Sequence, residues 1–406
     1  MAKRRKSRSS LAQHAVIHAV LIALGCVFII PLVWMLSTSL KVIEETATSE
    51  INFIPMEQVK HEYFDADDPI YETEHLGQTV RGKISGEIEN GQVEFLITDP
   101  PGQLYKKIPM DRSALKEVPK TTGVYEFDRD GLVFPGFIRS EEDGIAQFEI
   151  IGSSSEAGTV LEVPKDDLRP VKEVSFQFHN FADAISYGEQ TLGYKPFLVY
   201  ARNTILFCIL FVGGVVISNS IVAYSFARLR WPGRDLVFAL TLATMMIPFP
   251  VIMVPLFTLF VKLDWAGTFR PLWVPAWFGS AFSIFLLRQF YKSIPNELSE
   301  AAKIDGCSEW GIYYKVILPL TKPALAVVAL FAFMSSWNDF LGPLIYLHSQ
   351  EHFTLSLGLN FYRSQQGAQW HLLMAASTVV LAPVIILFFF TQRLFIQGIA
   401  ATGLKG

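Results

Sequence analysis

The chain has 406 residues, of which 51% are apolar, and its mean hydropathy is +0.33. These values exclude an ordinary soluble protein and favour one with several membrane-spanning segments. The net charge of −4 is unevenly distributed, because residues 44–195 hold 30 of the 38 acidic residues but only 14 of the 34 basic ones. We therefore predict an acidic soluble block within a basic membrane frame.

A basic tail between Lys3 and Arg8 precedes an apolar run over about 15–40, which is long enough to span a bilayer. No small-residue cleavage site follows this run. We predict that residues 1–43 form a cytoplasmic basic tail and transmembrane helix 1. A cleaved signal peptide is the alternative.

Residues 44–195 are rich in Gly, Pro, Asp and alternating apolar residues, which indicates short strands joined by turns. We predict an acidic, β-rich, extracytoplasmic insert between transmembrane helices 1 and 2. Two segments of it, about 78–120 and 132–175, suggest an internal repeat, although chance matching of common β and turn residues is a competing explanation. The matched stretches are 80–84 with 134–138, 93–97 with 146–150, and 115–118 with 171–174.

Residues 196–406 are apolar again, with short polar loops between the runs. We predict five more transmembrane helices, over about 203–226, 236–261, 272–290, 323–347 and 372–395. Lys and Arg concentrate in both tails and in the loops at 228–234 and 288–322, which by the positive-inside rule places the termini in the cytoplasm and the insert outside it. The predicted fold class is an all-α polytopic membrane protein of six helices with a β-rich soluble insert.

The loop at 288–322 is too polar and too interrupted to cross a bilayer. Four of its residues follow the spacing of one helix face: Leu298, Ala301, Ala302 and Asp305. Gly306 predicts a left-handed stop, and Ser308 predicts the cap of a second helix that ends before Pro319. Two such short helices are marginal alone in water, so we predict a docking element that a partner holds.

This stretch resembles the EAA loop of permease subunits in binding-protein-dependent ABC importers. The match consists of Glu300-Ala301-Ala302, Gly306 and, after nine residues, Val316-Ile317-Leu318-Pro319, with valine where the family has isoleucine. The resemblance implies that the helix pair inserts into a cleft on a cytoplasmic ATPase; the alternative is a merely connecting loop. The implied ATPase-coupling residues are Glu300, Ala301, Ala302, Asp305, Gly306, Leu318 and Pro319.

Further stretches resemble the second permease of maltose-type sugar importers. They are Asn203-Thr204 and residues 223–228, 246–248, 337–340 and 354–359. The tail at 398–406 resembles the end of the subunit whose carboxyl terminus reaches the ATPases, which implies contacts from Gly403, Lys405 and Gly406. The resemblance covers the first helix and about 196–406, and it leaves the role of the insert open.

Asn338 and Asp339 lie within the predicted fifth helix, where an acidic residue is costly and usually faces a cavity or a partner. In one interpretation they line the transport pathway or contact a sister permease. In the other, they satisfy backbone groups at a helix break before Gly342-Pro343. The sequence favours neither.

The resemblance implies a cell-membrane transport subunit without catalysis of its own, serving an ATP-driven carbohydrate importer. Its implied partners are a sister permease, two ATP-binding subunits, an extracytoplasmic solute-binding protein, the sugar and the lipid bilayer. No nucleic acid, cofactor or metal is expected, and the three cysteines form no disulfide or metal pattern. Two alternatives stay open: import of a non-sugar solute, and a membrane-anchored enzyme or sensor that uses the insert.

Overall fold

The computed structural model of the chain describes residues 2–47, 52–65, 68–75, 78–88, 92–99, 106–129, 131–152, 155–364 and 369–403. The chain divides into a β unit, Ile54–Phe176, and a helical unit, Met1–Phe53 with Gln177–Gly406. The β unit is narrower than the insert predicted at 44–195. The short helices that flank it, Ile43–Ala47, His179–Ser186 and Glu189–Leu192, belong to the helical unit.

Long apolar helices joined by short ones make up the helical unit. Its helices α1 to α17 are Ala2–Ser39, Ile43–Ala47, His179–Ser186, Glu189–Leu192, Pro196–Arg228, Arg234–Ala243, Phe249–Lys262, Arg270–Trp273, Ala281–Ser293, Asn296–Ile304, Glu309–Ile312, Leu318–Leu320, Lys322–Trp337, Leu341–Tyr346, Leu355–Gly358, Phe361–Ser364 and Trp370–Gly403. Thr244–Met246, Val274–Phe278 and Gln350–His352 are 3-10 turns, and Tyr313–Ile317 is π-helix. α5 begins at Pro196, whose ring favours the first helical turn, where no amide donor is needed.

Three helices in the described part of the chain are long and apolar enough to cross a membrane: His14–Ser39, Pro196–Arg228 and Trp370–Gln392. The number rises to five if each of two bent helix pairs counts as one span. These pairs are Arg234–Met246 with Phe249–Lys262, bent by 100°, and Glu309–Leu320 with Lys322–Trp337, bent by 78°. The predicted count of six spans is therefore not confirmed.

The predicted fourth span, 272–290, is wrong as one continuous helix. The four-residue α8 is followed by a 3-10 turn, and Gly279 then adopts φ +100°. Only beyond that break does the 13-residue α9 begin. Glycine tolerates the positive φ that stops a helix, and hydropathy does not register it.

The β unit consists of short antiparallel strands. In chain order, the strands β1 to β13 of its described residues are Met56–Gln58, Lys60–Tyr63, Ile70–His75, Gln78–Glu87, Gln92–Asp99, Lys107–Asp111, Lys116–Val118, Lys120–Arg129, Leu132–Glu142, Ile145–Ile150, Val160–Pro164, Leu168–Pro170 and Lys172–Val174. β1 pairs with β13, so the two ends of the unit meet.

The same five-stranded arrangement occurs twice in the β unit. One sheet has the order β6-β5-β4-β3-β7, and the other has the order β11-β10-β9-β8-β12, with β2 beside β8. A 3-10 turn, Arg112–Ala114 or Lys165–Asp167, precedes the last strand of each. The paired residues also correspond: Gly82 with Ile97 and Ile84 with Phe95 in one sheet, Gly136 with Ile150 and Ile138 with Phe148 in the other.

The limits of the two copies differ from the predicted ones, because the copies run over about 70–118 and 120–170. The predicted match of 115–118 with 171–174 is wrong. β13 pairs with β1. Leu115 follows the first 3-10 turn and Leu168 follows the second, so Leu168 is the residue equivalent to Leu115. The sequence Lys-Glu-Val recurs in β7 and β13 without structural equivalence.

Two fully buried phenylalanines, Phe95 and Phe148, lie in the cores of the two copies. Each core includes a close approach to a glycine on the neighbouring strand. A Cβ atom on Gly82 would lie 2.2 Å from the Leu96 carbonyl oxygen, and one on Gly136 would lie 2.3 Å from that of Glu149. These distances leave room only for glycine.

We expect Gly82→Ala to destabilise its sheet by about 1–3 kcal/mol or more, because the opposing atom is backbone and cannot rotate away. Gly86→Ala, on the same strand, is the matched control, since its Cβ would meet Glu94 at an ordinary 3.6 Å. Limited trypsin digestion of membranes that contain the full chain would measure the difference. Equal resistance of the two variants would contradict the close approach.

Candidate functional site

The EAA loop forms two short helices joined at Gly306. Gly306 has φ +79°, and its amide donates to the Lys303 carbonyl at 3.0 Å, which confirms the predicted left-handed stop after α10. Ser308 Oγ accepts from the Gly311 amide at 3.2 Å and caps α11, as predicted. The loop thus folds by local rules at the turn between its helices.

The second helix does not end before Pro319, so this part of the prediction is wrong. The chain passes from α11 through the π-helix Tyr313–Ile317 into α12 and stays helical to Leu320. Pro319 occupies the first turn of α12, where its missing amide is not needed. A π-helical turn within a helix is rare and is frequently found at functional sites.

The residues predicted to share one face of α10 differ in burial. Ala302 is buried and belongs to the same apolar core as Ile312 and Ile317. The other predicted loop residues of this helix are exposed: Leu298, Glu300, Ala301 and Asp305. Among the predicted residues on this face, Ala302 packs into the core and the others are exposed.

Large apolar side chains lie uncovered on the EAA loop. We call them the exposed loop surface, and they are Leu298, Ile304, Trp310 and Tyr314. Ile304 is 87% exposed, an extreme value for isoleucine. Several large apolar side chains exposed in one short segment are typical of an interaction surface, so this loop has the character expected of a docking site.

The end of α5 carries polar residues spaced four apart, which places them on one helix face. We call Ser220, Tyr224 and Arg228 the α5 anchor. The Arg228 guanidinium donates to the Tyr291 carbonyl at 2.6 Å, to the Ile294 carbonyl, and to Asn296 Oδ1 at 2.6 Å. Because Asn296 is the first residue of α10, Arg228 ties the end of α5 to the start of the EAA loop helices.

A second tie runs through Glu309. The Tyr224 hydroxyl donates to Glu309 Oε2 at 3.1 Å, and Lys303 Nζ lies 2.6 Å from Oε1 of the same carboxylate. Glu309 thereby connects α5, α10 and α11. Deeper in the unit, Ser220 Oγ lies 2.6 Å from the hydroxyl of Tyr291 and 2.8 Å from that of Tyr313.

The α5 anchor is absent from the functional residues predicted from the sequence, which used residues 223–228 only as part of a family resemblance. The sequence carries a signal for these residues, since three polar residues four apart at the end of an apolar helix form a face that is costly to expose to lipid. The hydrogen-bond partners of these residues could not be predicted from the sequence. Tyr291, Asn296 and Glu309 are 63 to 85 residues away along the chain.

Asn338 and Asp339 lie at a break, because α13 ends at Trp337 and the predicted continuous helix over 323–347 is wrong. Asn338 Nδ2 donates to the Met334 carbonyl at 2.8 Å, and Asp339 Oδ1 accepts from the Gly342 amide at 3.0 Å. These contacts are the ones expected if the two residues satisfy backbone groups at a helix break. A pathway or intersubunit role stays a prediction.

Of the predicted tail contacts, Gly403 ends α17, and Lys405 and Gly406 lie outside the described residues. Their contact with an ATPase stays a prediction. Within the described ranges, no group of three or more His, Cys, Asp or Glu side chains is placed to hold a metal ion.

Comparison with known proteins places this site in a family. Residues 219–401 match the model described as "Binding-protein-dependent transport system inner membrane component". The arabinooligosaccharides transport system permease protein AraQ of Halalkalibacterium halodurans is 39% identical over 204 residues, which cover 50% of this chain and 73% of AraQ. The probable starch degradation products transport system permease protein AmyC of Thermoanaerobacterium thermosulfurigenes is 33% identical over 203 residues, 50% of this chain and 74% of AmyC.

A crystal structure of a bacterial ABC transporter involved in the import of the acidic polysaccharide alginate is similar with a TM-score of 0.47 and 24% identity, over 56% of this chain and 81% of that chain. The family match includes the EAA loop and the α5 anchor and excludes the β unit. The predicted resemblance is confirmed. The chain belongs to the family of binding-protein-dependent transport system inner membrane components, and it is a permease subunit rather than an enzyme.

Proposed function

We propose that the chain is the membrane-spanning permease of an ATP-driven importer for a carbohydrate delivered by an extracytoplasmic solute-binding protein. The observation that carries the proposal is the 39% identity to a permease named for arabinooligosaccharides, over 73% of that protein. A second relative is named for starch degradation products. ATP hydrolysis belongs to two separate subunits, as the family's binding-protein-dependent transport implies.

The EAA loop receives the motion of these ATPases. The exposed loop surface supplies apolar contact area, and Glu300, Ala301 and Asp305 lie exposed beside it. Gly306 sets the angle between the two docking helices through its positive φ. The tail residues Gly403, Lys405 and Gly406 add a second contact to the ATPases.

The α5 anchor then carries that motion into the membrane. Arg228 and Tyr224 hold the first residue of each docking helix, Asn296 of α10 and Glu309 of α11. Because these contacts fix α10 and α11 to one long helix, a displacement of the EAA loop displaces α5 with it. α5 spans 33 residues, enough to cross the bilayer.

The membrane arrangement completes the proposal. Six spans, three of them bent or broken, put both termini in the cytoplasm and the β unit outside it, as the positive-inside distribution of Lys and Arg supports. A sister permease encloses the other half of the pathway, with Asn338 and Asp339 near the contact. Leu318 and Pro319 begin the helical segment that leads from the EAA loop into α13.

The test is reconstitution of the chain with its co-purifying subunits and solute-binding protein in proteoliposomes. Radiolabelled oligosaccharides, amino acids, phosphate and peptides form the panel. ATP-dependent uptake of a carbohydrate alone supports the proposal. Uptake of another solute class in place of carbohydrate, or purification without ATPase chains, would refute it.

A further inference from the structure

A cavity of about 350 Å³ lies in the helical unit at the corner between α5 and α6. The residues that line it are Arg230, Trp231, Gly233, Arg234, Asp235 and Leu236. It begins two residues beyond Arg228, whose guanidinium donates to Asn296 at the start of α10. The cavity therefore lies at the same end of α5 as the EAA loop.

Positive charge is in excess around this cavity. Arg230 and Arg234 lie in its wall, and Lys292 of α9 is within electrostatic reach of Arg234. The one acidic residue among those that line the cavity, Asp235, is already paired. Arg234 donates to both of its carboxylate oxygens, at 3.0 and 3.2 Å, and Arg288 Nη2 lies 3.7 Å from Oδ1. Four cations thus surround a single acid whose charge is offset.

Part of this cluster is fixed and part is free. Arg288 is only 8% exposed, its Nε donates to the Phe226 carbonyl at 3.3 Å, and its guanidinium lies 3.9 Å from the centre of the Phe238 ring. Arg230 and Lys292 are exposed instead, and neither makes a hydrogen bond or an ion pair within the described part of the chain. Their cationic groups are therefore accessible to a ligand from outside the protein.

An apolar helix face continues from the cavity. Leu236 lines the cavity and is 67% exposed, and Leu240, four residues later on the same face of α6, is 59% exposed. α6 begins the bent apolar pair Arg234–Met246 with Phe249–Lys262, so this face lies against the bilayer. Trp231, also in the wall, is of the residue type that is enriched at the membrane–water interface. A ligand with an anionic group and an apolar tail would match both surfaces, whereas a soluble phosphate would match the cavity alone.

We propose that this cavity binds the phosphate headgroup of an anionic membrane lipid. Arg230 and Lys292 donate to the phosphate oxygens, and Arg234 adds positive charge beside them. The tails of the lipid lie along Leu236 and Leu240. The site holds a lipid at the corner between α5 and α6, whatever solute the permease transports, so it stands or falls independently of the proposed carbohydrate substrate.

Lipid binding is measured in the complete importer, purified with its subunits and placed in phosphatidylcholine nanodiscs that contain increasing amounts of phosphatidylglycerol. Native mass spectrometry counts the phosphatidylglycerol molecules that stay bound. We expect Arg230→Ala to weaken this binding about fivefold, the effect of one cation near a membrane surface, and Arg230→Ala with Lys292→Ala to weaken it about 25-fold. Arg230→Lys keeps the charge and should bind nearly as the wild type does.

Lys322→Ala is the matched control, because Lys322 is also exposed at the start of a membrane helix, α13, but lies outside the cavity. Its lipid binding should equal that of the wild type. Coupling of ATP hydrolysis to uptake is not the readout, since the cavity includes no residue of α10 or α11. Each variant should therefore retain its ATPase chains, which also shows that it folds.

Several results would overturn the inference. Unchanged phosphatidylglycerol binding by the double variant would do so, and so would equal weakening by Lys322→Ala, which would show attraction to the whole basic surface. Phosphatidylcholine that binds as tightly as phosphatidylglycerol would rule out recognition of the anionic headgroup. Displacement of phosphatidylglycerol by an equal concentration of glycerol phosphate, which has no tail, would show that the cavity takes a soluble phosphate and not a lipid.

Discussion

Gly306→Pro is expected to abolish solute uptake while leaving the chain in the membrane. Gly306 has φ +79°, and its amide donates to the Lys303 carbonyl. Proline fixes φ near −65° and has no amide proton, so it removes the turn and its hydrogen bond together. α11 would then leave α10 in another direction, and the exposed loop surface would no longer be one surface. We expect uptake, and the ATPase that co-purifies, to fall below about a tenth of wild type, the effect of about 1.4 kcal/mol or more.

Two alanine variants show which property of Gly306 matters. Gly306→Ala keeps the amide and meets no described atom within 4 Å, so its cost is the left-handed conformation alone, about 1–2 kcal/mol. Gly311→Ala is the matched control in the same loop, since its Cβ would lie 3.5 Å from Ser308 Oγ, an ordinary contact. Uptake should fall from Gly311→Ala to Gly306→Ala to Gly306→Pro. Wild-type uptake by Gly306→Pro would remove the EAA loop from the mechanism.

The turn at Gly306 and the cap at Ser308 could be predicted because both depend on a few neighbouring residues. The helix end at Pro319 could not, because the π-helix at Tyr313–Ile317 is set by packing. Tyr313 bonds Ser220, 93 residues earlier, and Ile317 is fully buried. In the EAA loop, neighbouring residues predict a helix end only where no contact with a distant part of the chain keeps the segment helical.

Hydropathy predicted the apolar runs but not their continuity. The composition of a broken helix is the same as that of a straight one, so average hydropathy does not register the bend of 100° between Arg234–Met246 and Phe249–Lys262. Three prolines in this run, Pro248, Pro250 and Pro255, do predict a kinked or broken helix, and the bend confirms that prediction. Gly279 interrupts the predicted fourth span in the same way. Backbone that is not helical is tolerated at such depth only where protein covers it, which the sequence of one chain does not reveal.

In the β unit, alternating apolar residues predicted strands, and the matches at 80–84 and 93–97 fall on structurally equivalent strands of the two copies. The third match was wrong because a sequence of three residues, Lys-Glu-Val, recurs by chance and does not specify which strands are equivalent. Only the pairing of β13 with β1 shows that β13 closes the unit and is not the last strand of a copy.

Arg228→Ala is expected to uncouple ATP hydrolysis from uptake without detaching the ATPases. Arg228 lies outside the exposed loop surface, so docking should persist. Its loss removes hydrogen bonds to the carbonyls of Tyr291 and Ile294 and to Asn296 Oδ1. Hydrogen bonds to a charged donor are worth about 1.5–3 kcal/mol each, so the join between α5 and the segment from the end of α9 to the start of α10 weakens by about 3 kcal/mol or more. Uptake per ATP hydrolysed should fall about tenfold or more, measured in proteoliposomes at equal ATPase content.

Two further variants make the result specific to the anchor. Arg230→Ala removes the same charge at an exposed position two residues further along the chain. This variant should couple ATP hydrolysis to uptake normally. Arg228→Lys keeps the charge, but one ammonium group cannot serve three acceptors in the geometry of a guanidinium, so its coupling should be intermediate. Normal coupling in Arg228→Ala would show that α5 does not transmit the motion. Loss of ATPase attachment equal to that of Gly306→Pro would show that Arg228 only maintains the fold of the EAA loop. Retained attachment with lost coupling is the outcome that distinguishes a transmitting contact from a structural one, because only a transmitting contact acts after docking.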